Sequence, residues 1–292
     1  MRSGETASRP LAAAGLHPLA VRELTEAEIR EFADLKRHIE AGGFRCGGYK
    51  DRCLRRRIAV RMRACGSQTF AEYAELLSTD PAEHQRLLDV VTINVSKFFR
   101  NAEVWRAVEA HVVPRLFELD VPEVRIWSAG CAAGEEPYTL AIVLHEYAER
   151  HGLRHRLDRF RIHGTDIDGE SLRTAARAEF NDFALAETPP AVRERWFESG
   201  RVFRLRPEIQ RRVTFGTLDL LRSPFPAGQH LIICRNVIIY LERAVQDELF
   251  QRFRSALAPD GFLVLGKVET LFGPAAPAFH AVANRERIFR AV

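Results

Sequence analysis

From Val124 the chain alternates short apolar runs with longer helical ones, and that alternation admits few folds. Val124-Arg-Ile-Trp-Ser-Ala-Gly130 reads as a strand ending in small residues, and Glu135–Arg150 as a helix opened after Gly134. Phe160–Asp166 reads as a second strand and Gly169–Ala178 as the next helix. Further strands are predicted at Val213–Leu218, His230–Cys234 and Phe262–Gly266, with a helix over Arg243–Leu257. Phe279–Val292 reads as a hairpin turning at Ala283-Asn284-Arg285. Strands separated by helices pair in parallel, because each crossover returns the chain in the same direction. The expected class is therefore α/β, with a mostly parallel, doubly wound sheet. Between Asn181 and Arg212 the periodicity is lost, and Thr188-Pro189-Pro190 and Ser199-Gly200 interrupt it, which marks a small inserted subdomain.

The first part of the chain is of another kind. Thr25 followed by Glu28 is a capping-box pattern that opens a helix, and Gly42-Gly43 closes it. Tyr49–Ala64 carries Leu54, Ile58 and Met62 at four-residue spacing; Gln68–Leu77 and Glu83–Val91 read as two more helices. The expected organisation is a flexible leader over 1–22, an N-terminal helical domain over 23–95, a linker helix over 96–120, and a sheet domain over 121–292 with its insertion at about 181–212.

Charge separates the two parts as well. Residues 1–115 hold 19 Lys and Arg against 15 Asp and Glu, and 116–292 hold 24 of each, so the whole net +4 lies in the first part. Arg45–Arg63 sets Arg45, Lys50, Arg52, Arg55, Arg56, Arg57, Arg61 and Arg63 against Asp51 alone, a local +7. Such a cluster is a solvated face, a nucleic-acid clamp or a dock for an acidic protein. With Tyr49 as its one aromatic, it lacks the interleaved rings of a single-strand binder. No apolar run approaches the ~18 residues of a membrane span, which argues against direct membrane insertion. The five cysteines form no CxxC pair and no Cys/His cluster at metal spacing, so reduced thiols, a cytoplasmic location and no metal site are expected.

In open parallel sheets ligands bind beyond the carboxyl ends of the strands, near the point where strand order reverses. The first strand runs there into Ser128-Ala-Gly-Cys-Ala-Ala-Gly134-Glu-Glu-Pro-Tyr138, small enough for a ligand to approach the backbone. Asp166 ends the second strand, where a carboxylate can accept both ribose hydroxyls, and Asp219 follows the third, near an adenine amino group. No GxGxxG is present, and Glu135-Glu136 would repel a pyrophosphate. A cationic adenosine cofactor suits these residues, and S-adenosylmethionine is the candidate.

Asn94-Val-Ser-Lys-Phe-Phe-Arg100, Gly134-Glu-Glu-Pro-Tyr138, Gly164-Thr-Asp-Ile-Asp168 and Cys234-Arg-Asn-Val-Ile-Ile-Tyr240 resemble the motifs of the chemotaxis receptor methyltransferases, the CheR family, in order and across about residues 25–290. The resemblance implies an N-terminal helical domain, a Rossmann-like domain, and methyl transfer from S-adenosylmethionine to glutamate side chains of chemoreceptor coiled coils, leaving S-adenosylhomocysteine. It implies that Asn94, Ser96 and Arg100 flank the cofactor, that Gly130 belongs to the cofactor-binding set, that Glu136 takes the methionyl ammonium and Asp166 the ribose, that Asp219 and Leu220 hold the adenine end, and that Arg235 and Asn236 close the pocket. Arg100 and Tyr240 would stand at the methyl-transfer centre, and Arg52, Arg55, Arg56, Arg57, Arg61 and Arg63 would dock the acidic coiled coil. Ser96 stands where many members carry Thr, and Phe197–Phe203 is more compact than the Gly-rich loop of members that dock on a receptor's C-terminal pentapeptide, so pentapeptide-independent docking is expected. The alternative is an S-adenosylmethionine-dependent nucleic-acid methyltransferase with the basic helix as clamp. Against it, Arg235-Asn236-Val237 stands where such enzymes carry an Asn/Asp-Pro-Pro-aromatic motif, and Thr188-Pro189-Pro190 is out of position. A non-catalytic adaptor that binds the cofactor and a receptor is a third reading, opposed by intact Arg100 and Tyr240.

Overall fold

The computed structural model describes residues 17–91 and 96–292, which fall into two units, one of residues 17–47 and 51–91 and one of residues 48–50 and 96–292. The first is helical: α1 (Pro18–Val21), α2 (Glu26–Ala41), α3 (Asp51–Cys65), α4 (Phe70–Thr79) and α5 (Pro81–Val91). The Thr25–Glu28 capping box forms with both of its arms, and Gly42 closes α2. α2 buries Phe32, Leu35 and Ile39, and α3 buries Leu54, Ile58, Ala59 and Met62. Each such apolar side chain contributes about 1.5–3 kcal/mol when fully buried. α4 begins two residues later than the pattern suggested, because the Thr69 hydroxyl accepts the Glu72 N–H at 3.1 Å and so fixes the cap. α5 begins earlier, at Pro81, whose missing N–H is harmless in a first turn. Part of the stretch expected as a flexible leader is ordered: Pro18–Val21 is a helix with Leu19 and Ala20 buried.

The second unit contains α6 (Ala102–His111), α7 (Val113–Glu118), β1 (Val124–Ala129), α8 (Glu135–Arg150), β2 (Phe160–Asp166), α9 (Gly169–Arg177), β3 (Glu179–Phe180), α10 (Pro190–Trp196), β4 (Phe197–Glu198), β5 (Phe203–Leu205), α11 (Pro207–Gln210), β6 (Val213–Thr217), β7 (Gln229–Cys234), α12 (Arg243–Ala256), β8 (Leu257–Leu265), β9 (Phe279–Ala283) and β10 (Ile288–Ala291). Seven of its described strands make one sheet in the order β6-β2-β1-β7-β8-β10-β9. The first five run parallel, and the β9–β10 hairpin adds antiparallel at one edge. Alternate residues of β1 feed opposite layers, as strand geometry requires. Val124 and Ile126 join the α8 side of the core, whereas Trp127 and Ala129 join Phe250 and Phe253 of α12. Trp127 donates its indole N–H to Thr165 Oγ1 at 2.8 Å, so the largest buried ring leaves no donor unpaired.

The region expected as one linker helix is two, α6 and α7, since Pro114 cannot continue the hydrogen-bond ladder of α6. The insertion folds as a three-stranded antiparallel sheet, β3-β5-β4, flanked by α10 and α11. Among the described residues no helix is long and apolar enough to cross a membrane.

Candidate active site

β1 and β7 are neighbours in the sheet, with β2 and β6 beyond one and β8 beyond the other, so strand order reverses between them. A pocket opens at their carboxyl ends, lined by Gly130, Cys131 and Ala132 after β1, Arg235, Asn236 and Val237 after β7, Glu136 of α8, and Ser96, Lys97, Arg100 and Trp105. Past β1 the chain turns sharply, with Gly130 at φ 77° and the N–H groups of Gly130 and Cys131 both donating to Thr165 O at 2.8 and 2.9 Å. A Cβ on Gly130 would come within 2.5 Å of Val237 Cγ2, so this wall of the pocket tolerates no side chain there. Ala132 N–H then donates to Asp166 Oδ2 at 2.8 Å, while Asp166 Oδ1 accepts the Asp168 N–H at 3.0 Å. Each oxygen keeps a second acceptor position, the capacity that a pair of ribose hydroxyls requires. Burial pushes the Asp166 carboxyl upward against these backbone donors.

Glu136 and Arg235 form an ionic hub. Ser128 Oγ donates to Glu136 Oε1 at 2.9 Å, and Arg235 Nη1 approaches Glu136 Oε2 at 3.4 Å. Arg235 Nη2 donates to the Arg100 carbonyl at 2.9 Å and to Asn101 Oδ1 at 3.0 Å, with its guanidinium 5.6 Å from the centre of the Trp105 ring. Burial disfavours both charges, lowering the Arg235 proton affinity and raising that of Glu136, and the pair offsets part of this for each.

The segment that carries Arg100 is conformationally costly, with Phe99 at φ 55° and Asn101 at φ 61°. It is held from several sides. Phe98 N–H reaches Ala184 O at 2.8 Å, Phe99 N–H reaches Thr139 Oγ1 at 3.1 Å, and Asn101 N–H reaches Glu187 Oε2 at 3.1 Å. The Phe98 ring packs edge-on to Phe180 and Phe197, with centroids 4.7 and 4.9 Å away.

Of the residues singled out from sequence, Ser96, Arg100, Gly130, Glu136, Arg235 and Asn236 line this pocket, and Asp166 bonds to its wall. Asn94 lies outside the described residues. Asp219, Leu220 and Tyr240 are not among the lining residues. Asp219 Oδ1 accepts the Leu221 N–H at 2.8 Å in a tight turn after β6, Leu220 packs on the α12 side of the core, and Tyr240 ends the 3-10 helix Ile238–Tyr240. On α3, Arg52, Arg56 and Arg63 are exposed and Arg55 and Arg57 half-buried. Arg61 corrects the expectation for that face: its Nε and Nη2 bind the two oxygens of Glu83 at 2.9 and 2.6 Å, with Tyr73 OH donating to the same carboxylate at 2.8 Å. Arg61 is thus committed to a carboxylate that is 2% exposed. Burial pushes Glu83 upward, but these donors together hold it at about 2.

Sequence reasoning missed Glu269, whose buried carboxylate binds the backbone of the Asn236–Ile239 turn. A signal existed: Asp166 ends β2, and Asp219 and Glu269 follow shortly after β6 and β8, so all three are acids at the carboxyl end of a strand. It also missed Thr139 and Glu187, which carry no motif of their own.

S-adenosylmethionine fits this set. The Glu136 carboxylate, 11% exposed, suits an ammonium, Arg235 Nε is a buried donor without a partner among the described residues, and the Gly130 turn leaves room for a ligand against the backbone. Comparison with known proteins agrees. The family description "CheR methyltransferase, SAM binding domain" matches residues 94–287, and "CheR methyltransferase, all-alpha domain" matches 30–92. A chemotaxis protein methyltransferase of Listeria innocua is 34% identical over 228 residues, covering 78% of this chain and 84% of its own. Namesakes from Salmonella typhimurium and Escherichia coli K12 are each 30% identical over 255 residues, covering 84% of this chain and 84% and 85% of theirs.

Proposed function

The chain belongs to the CheR methyltransferase family, an S-adenosylmethionine-dependent enzyme family, and on that premise we propose that it methylates glutamate side chains on the cytoplasmic coiled coils of chemoreceptors. The products are glutamyl methyl esters and S-adenosylhomocysteine, serving adaptation in chemotaxis-type signalling in the cytoplasm. The observation that carries the reading is the Glu136–Arg235 hub joined directly to the backbone of Arg100.

S-adenosylmethionine supplies a methyl group on a sulfonium, already an activated leaving group. Glu136 holds the methionyl ammonium, Arg235 and Asn236 close over that end, and Asp166 takes the ribose hydroxyls. Asp219 and Leu220 belong to the adenine side, and Ser96 to the rim beside Arg100. A glutamate carboxylate is ionised at neutral pH and is itself the nucleophile, so no strong general base is needed. What remains is desolvation and in-line placement, where orientation supplies most of the rate. Arg100 holds one oxygen of the acceptor carboxylate while the other attacks, and Tyr240 assists from the end of its 3-10 helix. The charge that Arg100 pairs with disappears in the ester, which favours product release.

The exposed arginines of α3, Arg52, Arg56 and Arg63, with Arg55 and Arg57, offer a basic face to an acidic coiled coil, and association slows as salt rises. The β4–β5 hairpin turns through residues 199–202 alone, which supports docking without a receptor C-terminal peptide.

Tritiated methyl transfer to a panel of acidic receptor coiled-coil fragments and DNA, followed by mild alkali, tests the reading. Counts released as methanol from protein support a glutamyl ester. Alkali-stable counts on nucleic acid overturn it.

A further inference from the structure

We infer that Glu269 is a specificity-determining residue of the cofactor pocket: its buried carboxylate sets the Asn236–Ile239 wall, and its charge favours the cationic cofactor over the neutral thioether product.

Glu269 follows β8 and is 4% exposed. Oε1 accepts the N–H groups of Val237 at 3.0 Å, Ile238 at 2.8 Å and Ile239 at 3.4 Å. Oε2 accepts those of Gly266 at 2.6 Å and Asn236 at 3.1 Å. Asn236 sits at φ 61°, a conformation costly for a residue with a side chain, and the shared carboxylate is what gathers its neighbours' donors into one turn. Two of the residues so held, Asn236 and Val237, line the pocket, and Asn236 is covalently next to Arg235 of the ionic hub. The wall and the hub are therefore parts of one rigid piece.

The carboxylate is held as an anion. Both oxygens face N–H donors, so a proton on either would point at a donor rather than an acceptor. Burial pushes the Glu269 carboxyl upward, and the backbone donors act against that push. The field of Glu269 reaches the hub, raising the proton affinity of both Glu136 and Arg235.

Among the described residues, the charges that line the pocket or are bonded to its lining include Lys97, Arg100 and Arg235 on one side and Glu136, Asp166, Glu187 and Glu269 on the other. The bonds made by Glu269 go to backbone N–H groups of the pocket wall and its strand end, with no cation among them. S-adenosylmethionine and S-adenosylhomocysteine differ by the sulfonium charge at the reacting atom, so a buried negative charge behind the pocket wall shifts the ratio of the two affinities towards the first. One buried charge acting through the pocket wall is worth about a tenfold difference in affinity.

The test needs no methyl acceptor, so its outcome is independent of which protein is methylated. Glu269→Gln and the unaltered protein are titrated calorimetrically with S-adenosylmethionine and with S-adenosylhomocysteine. The ratio of the two Kd values should shift about tenfold against the cationic ligand in the variant. A ratio unchanged within twofold, whatever happens to either affinity, overturns the assignment. For a variant too unstable to titrate, the difference between the unfolding midpoints raised by the two ligands reads the same ratio. Gly266→Ala is the second variant. Its Cβ would stand 2.7 Å from Glu269 Oε2 and 2.8 Å from Asn236 N, displacing the carboxylate while keeping its charge. It should weaken both ligands alike, and a ratio shift as large as that of Glu269→Gln would also overturn the assignment.

Discussion

Replacing Arg235 with lysine probes the link between cofactor binding and the segment that carries Arg100. The Arg235 side chain is 3% exposed and serves three acceptors: Glu136 Oε2 at 3.4 Å, Arg100 O at 2.9 Å and Asn101 Oδ1 at 3.0 Å. A lysine has one nitrogen where arginine has a fork, so it can keep the Glu136 side or the Arg100 side but not both. Charged hydrogen bonds contribute about 1.5–3 kcal/mol each, and a loop with two residues at positive φ needs its anchors. The expected loss of stability is about 2–4 kcal/mol, measured by denaturant unfolding. A displacement of Arg100 by about 1 Å should lower kcat about 100-fold. Single-turnover methyl transfer at saturating S-adenosylmethionine, with cofactor affinity measured separately, distinguishes this from a binding defect. The reasoning is refuted if Arg235→Lys weakens cofactor binding but recovers the original kcat at saturation, since Arg235 would then hold cofactor without positioning Arg100.

Four further substitutions each test the surroundings of one residue. Gly130→Ala places a Cβ 2.5 Å from Val237 Cγ2 at a residue with φ 77°, so calorimetry should find cofactor affinity reduced at least about tenfold. Glu135 is 5% exposed, with one oxygen lacking a partner among the described residues, and burial pushes its carboxyl up to about 7. A raised carboxyl pKa means that the folded state keeps a proton the unfolded chain has lost, so stability from this group is complete below about 4.5 and declines as pH rises to about 7. Its share is about 3 kcal/mol, and Glu135→Gln should flatten that part of the stability–pH curve. Arg56→Glu should slow association with an acidic coiled coil and weaken its salt dependence while leaving stability nearly unchanged, because Arg56 is exposed. Arg61→Ala should do the reverse, costing about 1.5–3 kcal/mol of stability because the buried Glu83 loses both Arg61 bonds while keeping Tyr73 and the longer Arg86 contact at 3.5 Å, with little effect on association.

Much of the fold was legible because local signals agreed with the final packing. The Thr25–Glu28 cap, the helix Glu135–Arg150 and the strand Phe160–Asp166 need only neighbouring residues to specify them. Where sequence and structure part, a distant segment or an unrecognised local cap decided. Thr69 rather than Gln68 opens α4 because its hydroxyl reaches Glu72. Pro114 splits the expected linker helix. Arg61 looks like its neighbours on the basic helix, yet a carboxylate from α5 turns it inward.

The site divides in the same way. By itself the sequence determined which residue types stand at the strand ends: the small turn at Gly130, the acids Glu136 and Asp166, and the Arg235-Asn236 pair after β7. Each belongs to a short run whose spacing is readable, because a strand–turn–helix fixes where its own residues point. Only the tertiary structure decided what holds Arg100 in place. Thr139 on α8, Ala184 and Glu187 in the insertion, and Arg235 after β7 converge on four consecutive residues. Their bonds go largely to backbone atoms, and every residue type has those, so no pattern in the sequence marks the partner. Glu269 is the clearest case: a lone acid whose five donors are peptide N–H groups, four of them some 30 residues away, brought to it only when β7 and β8 pair.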